Sequence, residues 1–465
     1  YGVNGNFMQS SNNIVLIWAN DSTGLYRAYP HTLTLQNQTM LYVDPFINYN
    51  SSNGLMQSFR TRYSYTNNSA TNVDPVTDKK IPNITTLTNV IYSEYQVVKQ
   101  INDGLNLTGG LIMDQTYSHS NFPYVGVLAT NHLQNFAGFL QVDKKLWKVL
   151  NLSFGFREES YKMNDTTASY KPVFRGGLNL KLAKGTFLRA SYGQGYRFPS
   201  IAEKYIYSNI GGLPIFPNPI LQAESSTNIE IGIKQGFRIN NFTGALDIAV
   251  FQQQYANTIE ITYGLWEKHL DRFGNDSNTA GFKYLNTGDT RVQGIEISLP
   301  GEGRITKDLK VEILADYTYI IPQALQPNKV YATDSNYIGM TYTNSSTNTG
   351  NNILKYRFQD IGKIDLQVTY KKFSVGGDWR YYGFMQNIDT IFYVFDTQAG
   401  YGIKKYRDAH MGGINVVDAR VSVQATKTLK VAFVVDNLLN LSYSLRPLKI
   451  EAPRSFALRL TYRVD

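Results

Sequence analysis

The side chains best suited to contacting a ligand are concentrated in two stretches of the chain, residues 259–283 and 384–413. Each stretch mixes aromatic rings with charged or imidazole groups, a combination that suits a sugar, a haem or a metal chelate. The predicted ligand-binding residues are Trp266, His269, Arg272, Phe273, Tyr401, Tyr406 and His410. The same side chains could instead pack the loops against one another, and the sequence leaves that alternative open.

The reactive residues predict neither catalysis nor a resident metal or cofactor. The chain contains no Cys, which excludes a thiolate metal site and a thiol nucleophile. The histidines are dispersed without the paired spacing of a metal site, and they are His31, His119, His132, His269 and His410. No nucleophile elbow, phosphate loop or dinucleotide fingerprint occurs in the sequence. We therefore predict that the protein is not an enzyme.

The basic charge does not indicate a nucleic-acid partner. The net charge is +9 and the isoelectric point is about 9.2, values that would raise the question of nucleic-acid binding in a soluble protein. The Lys and Arg residues are mostly scattered along the predicted strands, with no long basic cluster interleaved with aromatics. We therefore predict no nucleic-acid binding.

The elements that position these residues are extended segments whose connections alternate between short and long. Short connections fall near residues 102–104, 144–148, 183–186, 236–241, 370–373 and 426–428, and long ones span 117–131, 199–225, 259–283, 320–355 and 384–413. Outer-membrane barrels show this alternation because their periplasmic turns are short and their extracellular loops are long. The pattern predicts a transmembrane, antiparallel, up-and-down β-barrel with both ligand-contacting stretches in extracellular loops.

Several segments alternate apolar and polar residues with the period of a β-strand, which gives each predicted strand one lipid-compatible face. The apolar rows include Ile229, Ile231 and Ile233, then Ile364, Leu366 and Val368, then Leu458 and Leu460. Tyr319, Tyr370 and Tyr462 end such rows, where amphipathic rings would lie at a membrane interface. For any single Tyr, ordinary β-propensity explains the position equally well.

Composition supports strands over membrane helices. Charged residues make up 17% of the chain, aromatic residues 13%, and the mean hydropathy is -0.29. No apolar run approaches the roughly 20 residues that a spanning helix needs. The sequence therefore predicts an all-β fold of about eighteen strands over residues 1–465, including segments near Val15, Phe46 and Phe59.

From Phe187 to Ile297 the sequence resembles TonB-dependent outer-membrane receptors, particularly those of the Bacteroidota. The motifs that carry the resemblance lie at 188–200, 218–219, 221–224, 230–234, 255–260, 286–289 and 294–297, with terminal motifs at 436–440 and 453–456. We predict structural roles for these motifs. Phe198-Pro199 ends a strand, Leu221 to Glu224 begins the next, and Asp436-Asn437 supplies backbone hydrogen bonds at a tight connection.

The resemblance implies active transport of a nutrient across the bacterial outer membrane, with ligand bound by extracellular loops and the upper lumen. It implies a barrel of about 22 strands, of which about eighteen would lie in this chain. An N-terminal plug domain, on which the TonB complex would pull, is expected to lie outside residues 1–465, because the chain begins at Tyr1 without a Met or a leader. Val464-Asp465 departs from the aromatic terminus usual in the family.

The resemblance also implies binding partners, and two alternative functions remain. The partners would be outer-membrane lipid and lipopolysaccharide, the TonB complex, a surface lipoprotein lid, and a small-molecule, glycan or peptide ligand. A passive outer-membrane porin or diffusion channel is the alternative, which would need neither plug nor energy coupling. A soluble all-β carbohydrate-binding or structural protein is disfavoured, because outward rows of Ile, Leu and Val would aggregate in water.

Overall fold

The computed structural model describes residues 1–15, 27–29, 32–72, 80, 84–121, 129–166, 168–210, 213–270, 276–400, 402–447 and 449–463. For residues 72, 84, 210, 268–270, 276–278, 395 and 398–399 only the backbone is described.

Long β-strands dominate the described chain. In order, the strands are β1 (Gly2–Val15), β2 (Leu33–Asn50), β3 (Leu55–Asn72), β4 (Ile84–Asn102), β5 (Leu105–Ser120), β6 (Thr130–Leu146), β7 (Leu150–Met163), β8 (Ser169–Ala183), β9 (Thr186–Arg197), β10 (Ser208–Ile210), β11 (Leu213–Phe216), β12 (Glu224–Ile239), β13 (Phe242–Leu270), β14 (Asp276–Arg304), β15 (Leu309–Ala324), β16 (Ala332–Thr333), β17 (Gly339–Met340), β18 (Asp360–Tyr370), β19 (Phe373–Tyr382), β20 (Ile414–Gln424), β21 (Leu429–Asp436) and β22 (Ser455–Tyr462). The helices are α1 (Ile201–Tyr205), α2 (Ile391–Ala399) and α3 (Ile403–Ala409), with a 3₁₀ turn at Gly350–Asn352.

Twenty of the described strands form one sheet. Short β10 and β11 join it at one end, through a parallel pairing of β11 with β14, which leaves eighteen long strands. Each long strand pairs antiparallel with the next, including β9 with β12 and β15 with β18. Among the described residues, no ladder joins β22 to β1. The predicted up-and-down architecture and the count of about eighteen are confirmed, as are the three early segments.

Between the long strands, connections of two to four residues all lie at one end of the sheet. The six predicted short connections are all present, and two more occur at residues 51–54 and 305–308. The opposite end carries the long connections 198–223, 325–359, 383–413 and 437–454. The prediction of a loop over 259–283 is wrong for most of its length, since β13 continues to Leu270 and β14 starts at Asp276.

The two faces of the sheet differ as the alternation predicts. Ile229, Ile231 and Ile233 point outward and are 45%, 52% and 42% exposed. Glu230, between them in sequence, lies on the other face and accepts a hydrogen bond from Arg189 on β9 at 3.0 Å. Apolar side chains therefore cover the outside of the wall and charged ones line the inside, because successive residues of a strand point to opposite faces.

The hydrophobic clusters lie at the long-connection end. One contains Met385, Ile388, Phe392 and Ile403, a second Ala324, Tyr342 and Leu354, and a third Ile414, Val416 and Tyr443. The long connections therefore carry packed cores of their own. Across the described residues, no helix combines the length and apolar character needed to span a membrane.

Candidate functional site

The β13–β14 hairpin extends far beyond the strands on either side of it. The pairing of β12 with β13 stops at Ser225 and Ala256, and the pairing of β14 with β15 stops at Thr290 and Ala324. Residues 257–270 and 276–288 therefore lie beyond the wall, at the end that carries the long connections. An arm of two paired strands places its side chains more rigidly than the irregular loop predicted there.

Trp266 is the predicted ligand-binding residue that the structure describes on this arm. Its indole N–H donates to the Gly281 carbonyl across the hairpin at 2.9 Å. The Lys283 ammonium lies 5.4 Å from the centre of the indole ring, and burial lowers the pKa of Lys283. The indole therefore links the two strands of the arm. The backbone of His269 lies in β13 while its side chain is outside the description, and Arg272 and Phe273 fall outside the described residues.

The motif after β9 forms an ion-pair cluster at the rim of the wall. The Arg197 guanidinium binds Glu203 at 2.9 Å and Glu224 at 2.8 Å. Ser200 caps α1, accepting from the Glu203 backbone N–H while the Glu203 carboxylate accepts from the Ser200 N–H. Glu224 also accepts from the Ile259 N–H at 2.8 Å. This motif therefore ties the loop after β9 to the base of the arm.

Asn residues of the other motifs make further hydrogen bonds between the loop after β9 and the arm. The Asn218 side chain donates to the Tyr284 carbonyl at 2.7 Å. Asn286 accepts from the Gln222 N–H at 2.9 Å and donates to the Asn257 carbonyl at 3.0 Å. Each side chain binds backbone groups of another segment, and Asn286 does so at Asn257, where the β13–β14 ladder is interrupted. The geometry gives these motif residues structural contacts.

Two long connections pack together beside the arm. We call their described parts the cap, residues 342–358, 385–400 and 402–403. Their backbones exchange hydrogen bonds from Thr347 N–H to the Ile388 carbonyl at 3.0 Å and from Tyr356 N–H to the Asn387 carbonyl at 2.9 Å. Ile388 is 0% exposed. Phe282 of the arm packs on the same hydrophobic cluster, so the arm and the cap touch.

A buried ion pair joins the two parts of the cap. Lys355 Nζ lies 2.6 Å from Asp389 Oδ1 and 2.7 Å from Ser345 Oγ, and the two charged side chains are 6% and 3% exposed. Lys355 Nζ also lies over the Tyr342 ring, 4.9 Å from the ring centroid. The Tyr356 hydroxyl donates to the second Asp389 oxygen. Sequence analysis missed this pair, because 34 residues separate its members along the chain and neither lies in a recognisable motif.

Tyr406 and His410 stand together at α3. Their rings stack with centroids 4.0 Å apart, and His410 Nδ1 lies 2.8 Å from the Tyr406 carbonyl oxygen. The Tyr406 hydroxyl accepts a hydrogen bond from the Ser444 N–H at 2.7 Å. Burial of this hydroxyl raises the pKa of Tyr406 to about 12. This contact binds the 383–413 connection to the last connection of the chain. The predicted Tyr401 lies outside the described residues.

The inner wall below the cap is lined by cross-strand ion pairs. Arg380 binds Asp418 at 2.5 Å, and Lys363 lies 3.4 Å from Asp378. Within the described residues, no group of three or more His, Asp or Glu side chains is placed to hold a metal ion. The site offers aromatic faces, hydroxyls and paired charges around a lumen, an arrangement suited to binding.

A family model described as "TonB dependent receptor-like, beta-barrel" matches residues 2–438. The chain belongs to this family. The resemblance predicted from the motifs is therefore confirmed at the level of the TonB-dependent receptor barrels, whose members are outer-membrane β-barrel proteins.

Two curated relatives match part of this receptor barrel. The "Hemoglobin-haptoglobin-binding protein A" of Haemophilus influenzae is 25% identical over 205 residues, 40% of this chain and 19% of that protein. The "Hemoglobin and hemoglobin-haptoglobin-binding protein" of Haemophilus ducreyi is 27% identical over 114 residues, 24% of this chain and 11% of that protein. Each match spans far less than two thirds of the relative.

Solved receptor structures share the fold. The Serratia marcescens hemophore receptor HasR, in complex with its hemophore HasA and heme, has a TM-score of 0.62 at 15% identity, covering 93% of this chain and 66% of that one. The FrpB iron transporter of Neisseria meningitidis has a TM-score of 0.65 at 11% identity, covering 99% and 69%. At these identities the likeness shows the architecture alone.

Proposed function

We propose that this chain forms most of the barrel wall of a TonB-dependent outer-membrane receptor that actively imports a nutrient. The family match over residues 2–438 carries the proposal. It is supported by a wall of antiparallel strands, apolar outside and charged inside, with packed connections at one end. The apolar face would contact outer-membrane lipid and lipopolysaccharide. Binding and transport, without catalysis, make up this function.

Energy coupling distinguishes this function from passive diffusion. The TonB complex would pull on a plug domain supplied by polypeptide outside residues 1–465, and the lumen would open when the plug moves. A passive porin would need neither the plug nor TonB. Membership of the TonB-dependent family supports the active mechanism.

The ligand would bind at the arm, the cap and the upper lumen. Trp266, Tyr406 and His410 are the described candidates for contact, and His269, Arg272, Phe273 and Tyr401 complete the proposed set. An iron-bearing ligand, haem first, is the proposed class, because both curated relatives are named for binding hemoglobin. A glycan or peptide, taken up with a surface lipoprotein lid in the manner of Bacteroidota receptors, is the second class, supported by the motifs from 188 to 297.

Uptake measured with and without TonB tests the proposal. Cells that produce the whole polypeptide containing this chain are given iron-radiolabelled haemin, with TonB present or deleted. We expect saturable uptake that requires TonB. Equal uptake in both strains would establish a passive channel. TonB-dependent uptake of a glycan or peptide, with none of haemin, would keep the transporter and change the ligand class.

A further inference from the structure

The Lys355–Asp389 pair is enclosed where the two parts of the cap meet, and the Glu260 carboxylate is a further charge within electrostatic range of Lys355. Both side chains are almost fully enclosed, and their polar atoms are occupied by each other, by Ser345 and by Tyr356. A buried charge whose partner is removed cannot recover its hydration, so breaking such a pair costs far more than breaking an exposed one. Separating the two parts of the cap would break this pair.

The contacts around the pair also cross between the two connections. The Thr390 N–H donates to the Ser345 carbonyl at 3.0 Å. The Asn387 side chain donates to the Ile353 carbonyl at 2.8 Å and accepts from the Asn348 N–H at 3.1 Å. Several backbone groups of residues 387–390 therefore find their hydrogen-bond partners in residues 342–358. These bonds would be lost if either segment withdrew.

We infer that Lys355 and Asp389 are positioning residues that lock the cap into one rigid body. The two connections then present the candidate contact residues near α3 in a preformed arrangement, and ligand enters without separating them. Motion that admits ligand belongs to other connections. The link to ligand entry rests on the proposed function, whereas the rigid coupling of the two segments does not.

Hydrogen exchange in the purified full polypeptide tests the coupling. In Lys355→Met and in Asp389→Leu, we expect peptides from both 342–358 and 385–403 to lose protection together, by about 10²-fold to 10³-fold, because either change removes the hydrogen-bonded partner of a buried charge. The double variant Lys355→Met/Asp389→Leu should regain most of the protection, since an apolar pair can replace a buried ion pair. Loosening of one segment while the other stays protected would overturn the inference.

The matched control is an exposed pair in the connection that contains Asp389. Lys404 Nζ lies 2.8 Å from Asp408 Oδ2, and the side chains are 63% and 58% exposed. Lys404→Met removes a Lys charge, as Lys355→Met does, but at an exposed position. We expect the protection of both cap segments to remain within about twofold of wild type, because exposed pairs contribute little. A loss equal to that of Lys355→Met would attribute the effect to net charge and overturn the inference.

A disulfide across the cap tests whether the two parts separate during uptake. Phe358 and Met385 face each other in an antiparallel bridge, a geometry whose Cβ separation of about 4.5–5.5 Å approaches the range of a disulfide. The chain has no native Cys, so Phe358→Cys/Met385→Cys introduces the only thiols of residues 1–465. The reduced form of the same variant controls for the lost side chains.

We expect the oxidised and reduced forms to take up iron-radiolabelled haemin at the same rate. Loss of uptake on oxidation, with recovery on reduction, would show that the cap must open and would overturn the inference. If neither form nor wild type takes up haemin, the proposed ligand is wrong, and the exchange experiment still decides whether the cap is one body.

Discussion

At the scale of single residues, Asn437 shows how one side chain can organise a connection. It is buried and has a φ of +49°, a conformation that Asn tolerates better than most residues. Its side chain accepts from the Leu441 N–H at 2.8 Å and donates to the Ala452 carbonyl at 3.2 Å. The predicted backbone hydrogen bonding is therefore present. A tight turn is present too, since the Asn440 N–H donates to the Asn437 carbonyl at 2.8 Å. The turn opens a long connection between β21 and β22, which this side chain closes at its base.

Asn437→Ala should destabilise this connection by about 2–4 kcal/mol, since it removes several hydrogen bonds and places Ala at positive φ. Asn440→Ala is the control, because Asn440 also has positive φ, at +52°, but is exposed and accepts one bond, from the Arg454 N–H. The urea midpoint of the protein in lipid vesicles, followed by tryptophan fluorescence, measures both. Equal shifts would mean that the buried hydrogen bonds contribute nothing.

The buried Tyr406 hydroxyl predicts that the stability of the 383–413 connection depends on pH. Burial raises its pKa from 10.0 to about 12. The folded loop therefore keeps the phenol protonated where the unfolded loop loses the proton, and the stability it contributes declines from about pH 10 to about pH 12. Subtilisin cleavage within 383–413 should accelerate over this range in wild type more than in Tyr406→Phe. Identical profiles would contradict the assignment.

At the scale of strands, glycine makes room for arginines that reach across a neighbour. Arg420 on β20 faces Gly376 on β19, and a Cβ at Gly376 would lie 2.9 Å from the guanidinium carbon. The guanidinium crosses this gap and binds Asp365 on β18 through two hydrogen bonds of 2.7 and 2.8 Å. The same arrangement recurs with Arg189, Gly232 and Asp247. Such bridges join three strands and help to fix their register.

Gly376→Ala should displace the Arg420 guanidinium and lower the free energy of unfolding by about 1 kcal/mol, the upper range for a partly exposed pair. Arg420→Gln should cost about the same, and the double variant little more, because both changes remove one interaction. Gly193→Ala is the control, since a Cβ there would meet nothing within 4 Å. Additive losses in the double variant would show that the glycine acts through something other than Arg420.

At the scale of the whole molecule, the two faces of the wall have opposite chemistry. A charge on the lipid face near the middle of the bilayer costs about 2–4 kcal/mol, whereas the inner face already holds many charges. An outward position on β12 can be compared with an inward position on the neighbouring β9. Ile231 points outward and is 52% exposed, while Ser191 lies on the inner face opposite Glu230.

Ile231→Lys should therefore lower the free energy of unfolding in lipid vesicles by about 2–4 kcal/mol. Ser191→Lys should change it by less than about 0.5 kcal/mol, because the new ammonium lies beside the Glu230 carboxylate in water. Urea unfolding of both variants in the same vesicles makes the comparison. Equal losses would mean that the outward rows do not face lipid.

Local patterns in the sequence were sufficient to predict the strands, their number, their two faces and the family, because these features depend on neighbouring residues. A strand alternates with period two, turns carry their own local signals, and the motifs are contiguous. Ile229 to Ile233 could therefore be oriented correctly without coordinates.

The form of the long connections depends on contacts between segments that are distant in the sequence. Residues 259–270 and 276–283 form a paired arm because each strand supplies the other's hydrogen bonds. Lys355 and Asp389 became a buried pair because two loops, 34 residues apart in sequence at these positions, fold against each other. No local sequence pattern predicts this contact, because the free energy that stabilises it arises only when both segments are buried against each other.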